Sequence, residues 1–275
     1  MKRFWICLLV ACLLHVSGGT VFSANAPAAL SPEEARRILD AAPPNPDSAS
    51  KTELAGIYMQ RARAAGAVAD VARQLREVND GIAAVGPKHP LSYELYNLAA
   101  RTHLEVGDWK AGRAMRENAL QVTSNRASKF FQATFLAAIA ARLLDKDSAK
   151  KYIALAEELF AAVRTTNRSW PEFRDLWEAA LSDARGGVYG MIGRPKEAES
   201  EYRTCVASIR SYLAKNRPGN DLFYYYLPQC LSRAMEHAAL VGKVREAGAY
   251  INDAREAARI HAQRQQRDNF EAARV

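Results

Sequence analysis

The chain has 275 residues, with 38 Lys and Arg against 30 Asp and Glu, a formal charge of +8. The charges are interspersed and form no basic block with interleaved aromatics, which argues against a nucleic-acid surface. Hydrophobic residues make up 49% of the chain, enough for a sizeable core or a long repeat array.

Met1-Lys2-Arg3 precedes an apolar run from Phe4 to Val16. A short basic stretch before an apolar core too short to span a bilayer comfortably predicts a signal peptide over residues 1–28. Cleavage after Ser23, with Val21 at −3, and after Ala28, with Ala26 at −3, both fit; cleavage after Ala26 would place Pro27 next. Leu9-Val10-Ala11-Cys12 also resembles a lipoprotein box, but Leu13, Leu14 and Val16 stay apolar where such a box normally turns polar. Lipidation of Cys12 and an uncleaved anchor are the alternatives. No later segment approaches the ~20 apolar residues of a membrane helix. The expected mature chain is therefore periplasmic or secreted, without a membrane span, and loses Lys2 and Arg3 to leave +6.

Residues 29–50 read as a short helix and a linker. Ser31 suits an N-cap, Pro32 the first turn, and Glu33-Glu34 the positive end of the helix dipole. The helix should stop near Ala41, where Pro43, Pro44 and Pro46 break it, leaving 42–50 as linker. Residues 51–275 form the main domain. It is rich in Ala, Leu and Arg at helical spacing, without β-branched alternation.

Five helical hairpins follow in order. Leu54, Tyr58 and Ala62 face Val68, Val71, Leu75, Val78 and Ile82 across a turn at Gly66. Tyr93, Tyr96, Ala99, Ala100 and His103 precede Gly107-Asp108-Trp109, then Gly112, Met115, Ala119 and Leu120. A third pair, from about Lys129 to Thr165, has Leu144-Asp145-Lys146-Asp147 in place of the glycine turn. Asn167-Arg168-Ser169 then matches a glycosylation acceptor, read as chance beside a bacterial-type signal. The fourth pair carries Leu176, Leu181, Gly186 and Tyr189, the turn Gly193-Arg194-Pro195, then Ala198, Tyr202 and Ile209. Asn216-Arg217-Pro218-Gly219-Asn220 separates it from a fifth, which opens with Phe223-Tyr224-Tyr225-Tyr226 and turns at Gly242. On this reading the turns at 66, 107, 144, 193 and 242 lie 41, 37, 49 and 49 residues apart. Recurring small and large residues around a turn predict stacked hairpins, each too small to fold alone.

Gly186, Tyr189, Gly193, Ala198, Tyr202 and Cys205 resemble the tetratricopeptide repeat (TPR) pattern, with Cys205 where Ala is usual. Ala100, His103, Gly107, Gly112 and Ala119 form a second copy, with Arg116 in place of an aromatic. The resemblance covers about residues 52–262. It implies an all-α, right-handed superhelical solenoid that binds a protein or peptide in a groove lined by the first helix of each pair. By position that groove holds Gln60, Arg63, Asn97, Arg101, Arg142 and Glu236. Its arginines suit an acidic peptide or a C-terminal carboxylate. The long, Ala-rich repeats are also similar to the helical front halves of caspase-like CHAT-domain proteins, which would make this chain a regulatory domain of such a protease system.

No sequence feature calls for catalysis or a cofactor. His89, His103, His237 and His261 lack metal-ligand spacing. His103 and Cys205 occupy packing positions, and no Lys-Ser or Lys-Thr follows Gly186-Gly187. Cys205 and Cys230 are the cysteines left after signal removal. They are either two buried thiols or a disulfide, which would close a loop of about 26 residues and contribute roughly 3–4 kcal/mol. The expected function is an adaptor in the cell envelope, its partner unnamed by any residue.

Overall fold

A computed structural model describes residues 30–42, 44, 45, 49–168, 170–215 and 221–272. The signal-peptide and Cys12 readings and the 216–220 break lie outside the described residues, as do the side chains of Tyr224 and Tyr225. Among the described residues there are eleven helices and no strand, so the fold is all-α. α1 (Pro32–Asp40) starts on Ser31, whose hydroxyl accepts from the Glu34 N–H while the Glu34 carboxylate returns to the Ser31 N–H. Ser50 and Glu53 repeat that reciprocal cap at the head of α2 (Lys51–Ala67).

The ten remaining helices form five pairs: α2 with α3 (Val71–Val85), α4 (Ser92–Glu105) with α5 (Trp109–Val122), α6 (Arg126–Arg142) with α7 (Lys146–Thr166), α8 (Trp170–Met191) with α9 (Pro195–Ala214), and α10 (Asp221–Leu240) with α11 (Val244–Ala272). Each pair packs internally, and its second helix packs on the first helix of the next pair.

All five internal turns share one backbone geometry. A single residue takes a left-handed φ: Ala69 at 57°, Gly107 at 83°, Leu144 at 57°, Gly193 at 80° and Gly242 at 81°. The N–H of the next residue (Asp70, Asp108, Asp145, Arg194, Lys243) donates to the carbonyl five residues back at 2.8–2.9 Å. This is the closure of a Schellman motif, and it ends the first helix with its last carbonyls satisfied. In the first three turns that next residue is Asp, whose carboxylate caps the following helix.

The first turn is therefore at Ala69. Gly66, the turn expected from sequence, lies inside α2. With Ala69 in place, the turns fall 38, 37, 49 and 49 residues apart. The correction also explains Gly66. In three of the five pairs, the residue five after the left-handed position packs against the residue three before it. In the first pair these are Gln74 and Gly66, and a Cβ on Gly66 would come within 2.9 Å of Gln74 Nε2. In the second pair the sizes are exchanged: a Cβ on Gly112 would sit 2.7 Å from Leu104 Cδ2. Gly190 and Ala198 are small on both sides, with Cβ atoms 3.9 Å apart were Gly190 an alanine. A large partner on one side of the turn thus goes with glycine on the other.

The two largest apolar clusters lie in different parts of the chain, and a smaller one packs Leu120 of α5 against Leu136 and Ala137 of α6. Leu54, Tyr58, Val78, Leu95, Ala99 and Ala119 join the first two pairs, whereas Phe130, Leu176, Trp177, Ile209 and Leu231 join the last three. The first helices α2–α4, α6–α8 and α8–α10 approach one another, but among the described residues no Cα of α4 comes within 8 Å of α6. Cys205 on α9 and Cys230 on α10 are bonded, both buried, with Cα atoms 5.7 Å apart.

Candidate functional site

The first helices carry their polar side chains into two clusters. The first takes Arg63 from α2, Glu94, Asn97 and Arg101 from α4, Arg116 from α5 and Gln132 from α6. Arg116 stands where the repeat pattern expects an aromatic, and it is buried. Its Nη1 donates to Asn97 Oδ1 at 2.8 Å, and its guanidinium lies 4.3 Å over the Phe135 ring. Gln132 Nε2 donates to the same Asn97 oxygen at 2.8 Å and to the Tyr93 hydroxyl at 3.0 Å. A polar bridge thus spans the gap between α4 and α6 in place of apolar packing.

Glu94 lies at the open side of this bridge. Its side chain is accessible, yet the enclosing helices displace enough water to raise its carboxyl above the ordinary value, against the pull of Asn97, Arg63 and Arg116. The same crowding lowers the Arg63 guanidinium. Arg101 Nε is shielded and has no hydrogen-bond partner, the nearest carboxylate being Glu105 at 3.6 Å.

The second cluster is built from Arg142 on α6, Asp183 on α8, Tyr202 on α9, and Arg233, Glu236 and His237 on α10. Arg142 Nη2 reaches Glu236 at 3.2 Å, and its guanidinium lies 4.8 Å over the Trp109 ring. Arg233 lies 3.4 Å from Glu236 and 3.9 Å from Asp183. Burial holds the Asp183 carboxyl above its usual range and raises the Tyr202 phenol. Burial lowers the Arg142 guanidinium, with Arg233 adding to the effect. The Tyr202 and His237 rings lie 5.6 Å apart, and the buried His237 Nε2 has no partner.

Of the six expected groove positions, Arg63, Asn97 and Arg101 belong to the first cluster, and Arg142 and Glu236 pair in the second. Gln60 is exposed on α2. Sequence reading did not single out Glu94, Gln132, Asp183 or Arg233, because a charged or amide residue in a helix reads as solvated until its neighbours from other pairs are known. Arg116 was visible as a departure from the repeat pattern.

The arrangement offers charge and hydrogen bonding rather than an activated nucleophile. Cys205 is bridged, and half-buried His103 lies 3.6 Å from Asp108 at the turn. Among the described residues no three of His, Cys, Asp and Glu are grouped to hold a metal, and no helix is long and apolar enough to cross a membrane. No family model and no curated protein matches this sequence.

Proposed function

We propose that this chain is an exported scaffold, periplasmic or secreted. On this reading its five TPR-like pairs wind as a right-handed superhelical solenoid and hold a protein or peptide partner in the groove of first helices, without catalysis of their own. The recurrence of one turn geometry in all five pairs supports the repeat reading. The observation that carries the binding reading is the first cluster, where Arg63 of α2 and Arg101 of α4 stand on neighbouring first helices beside the accessible Glu94, and Arg101 is paired, among the described residues, only with Glu105 of its own helix at 3.6 Å. An acidic segment or a terminal carboxylate would pair with these guanidiniums.

Affinity capture from an envelope extract, followed by mass spectrometry, identifies the partner. A fluorescent acidic peptide then tests the groove. Its affinity should fall about tenfold or more in the Arg101→Glu/Arg142→Glu chain, and should weaken with salt in the parent. Equal capture by parent and double variant would falsify this reading. Export is tested separately by intact mass, which should show a chain beginning at residue 24 or 29.

A further inference from the structure

The edge formed by the internal turns has a different character from the groove. Arg113 of α5 reaches the Asp145 cap of α7 at 2.7 Å, and Lys243 reaches Glu199 of α9 at 2.6 Å, so successive turns lie side by side. Along this edge stand exposed aliphatics: Val106 at 55%, Leu144 at 73%, and at the fifth turn Leu240 at 85%, Val241 at 40% and Val244 at 76%. A single exposed aliphatic is ordinary, but three within five residues at a projecting tip are not.

The charges there also break a local rule. The position after the left-handed residue is a capping Asp in the first three turns and becomes Arg194 and Lys243 in the last two. Arg194 makes no side-chain cap, and cations at a helix N-terminus oppose the dipole. Arg194 and Lys243 are paired with Glu197 and Glu199. Lys196 and Arg245, each the second residue of its helix, α9 and α11, are exposed and form no ion pair among the described residues.

We propose that this edge, led by the fifth turn, seats on an anionic phospholipid surface, with Leu240, Val241 and Val244 entering the headgroup layer and Lys196 and Arg245 meeting lipid phosphates. Aliphatics flanked by Lys and Arg suit an interface of lipid. A folded protein partner calls instead for aromatic anchors and pockets, with Lys depleted. The inference stands apart from the groove reading, because no residue of either cluster takes part.

Hydrogen exchange read peptide by peptide on the whole chain tests it, since the readout is local and indifferent to what residues 1–28 do. Vesicles of phosphatidylcholine with phosphatidylglycerol should slow exchange over 239–247 about tenfold, with a lesser effect over 192–198. Pure phosphatidylcholine vesicles should slow it far less. Leu240→Glu/Val244→Glu should abolish the protection while leaving the melting temperature unchanged, because both side chains are exposed. Lys196→Glu/Arg245→Glu should remove the preference for anionic lipid. Protection confined to other segments, or protection that survives Leu240→Glu/Val244→Glu, overturns the proposal.

Discussion

At the scale of single residues, Gly112 and Leu104 show how closely the pairs are fitted. Gly112→Ala gains about 1 kcal/mol of helix propensity. Its methyl nevertheless overlaps Leu104 at 2.7 Å and crowds the Ala100 carbonyl at 3.2 Å. Overpacking of that kind costs about 1–3 kcal/mol, so chemical denaturation should show a net loss. Adding Leu104→Ala should recover part of it, because the double variant reproduces the small-small match of the fourth pair; strictly additive losses would refute the pairing. Gly56 has nothing within 4 Å of an added Cβ, and Gly56→Ala should stabilise by about 0.5–1 kcal/mol. Asp145 gives a pH test. Its carboxyl is held down to about 2 by the Arg113 guanidinium, then by Ser148, against 3.8 for the unfolded chain. That contribution is complete above about pH 4 and is lost as pH falls toward 2. Asp145→Asn keeps an N-cap but cannot titrate, so the difference in Tm between parent and variant should shrink between pH 5 and pH 2. A constant difference would remove Arg113 as the cause. The misplaced first turn has its reason at this scale too. Glycine is the usual signal for a left-handed residue, and Ala69 at φ 57° carries no such signal. The Asp that follows the turn in three copies was the more dependable marker.

At the scale of helices, the caps, breaks and apolar faces were legible because each is encoded within one turn of chain. Ser31 with Glu34 and the packing of Leu54, Tyr58 and Ala62 are of this kind. Contacts between pairs were not, since they depend on which helix lies opposite. The Cys205–Cys230 bond is the covalent example: two thiols and a bridge fitted the sequence equally, and the meeting of α9 and α10 joins them. The bridge ties α10, and with it Arg233, Glu236 and His237, to the fourth pair. Replacing both cysteines by Ser should lower stability by about 3 kcal/mol, judged from the loop closed. Hydrogen exchange should then rise first in α10 and α11, while α2 to α5 keep their protection. Uniform loss across all five pairs would show that the bond stabilises without localising. On the outer side, Arg203 with Glu246 and Arg210 with Asp253 add ion pairs between α9 and α11 that are exposed and contribute little alone.

For the molecule as a whole, the lack of contact between first helices α4 and α6 is the dominant feature. The two sides meet there through α5 against α6 and α7, by Asn97, Arg116 and Gln132, by Arg113 with Asp145, and by Leu120 against the Leu136 cluster, with no first helices in contact. If the pairs stack as proposed, stability is a sum of local and nearest-neighbour contributions, and an interface lacking first-helix contact is where cooperativity should divide. Arg116→Ala removes a guanidinium donor from Asn97 and takes the cation from the Phe135 ring. It should separate unfolding into two transitions, which fluorescence and exchange would report at different denaturant concentrations. A single coincident transition would mean that α5 and α6 suffice to couple the halves. The two halves of the candidate groove lie on opposite sides of this gap, which no reading of one helix at a time could reveal. The reciprocal volumes across the first two turns carry a last consequence, for how such chains can be recombined. Gln74 needs the glycine at 66 and Leu104 needs the glycine at 112, so each match is private to one hairpin. Grafting or duplicating a whole hairpin preserves it. Splicing α4 onto α3 instead would set Leu104 against Gln74, and splicing α2 onto α5 would leave two glycines facing an unfilled space. The unit that can be moved without breaking these matches is the helix pair.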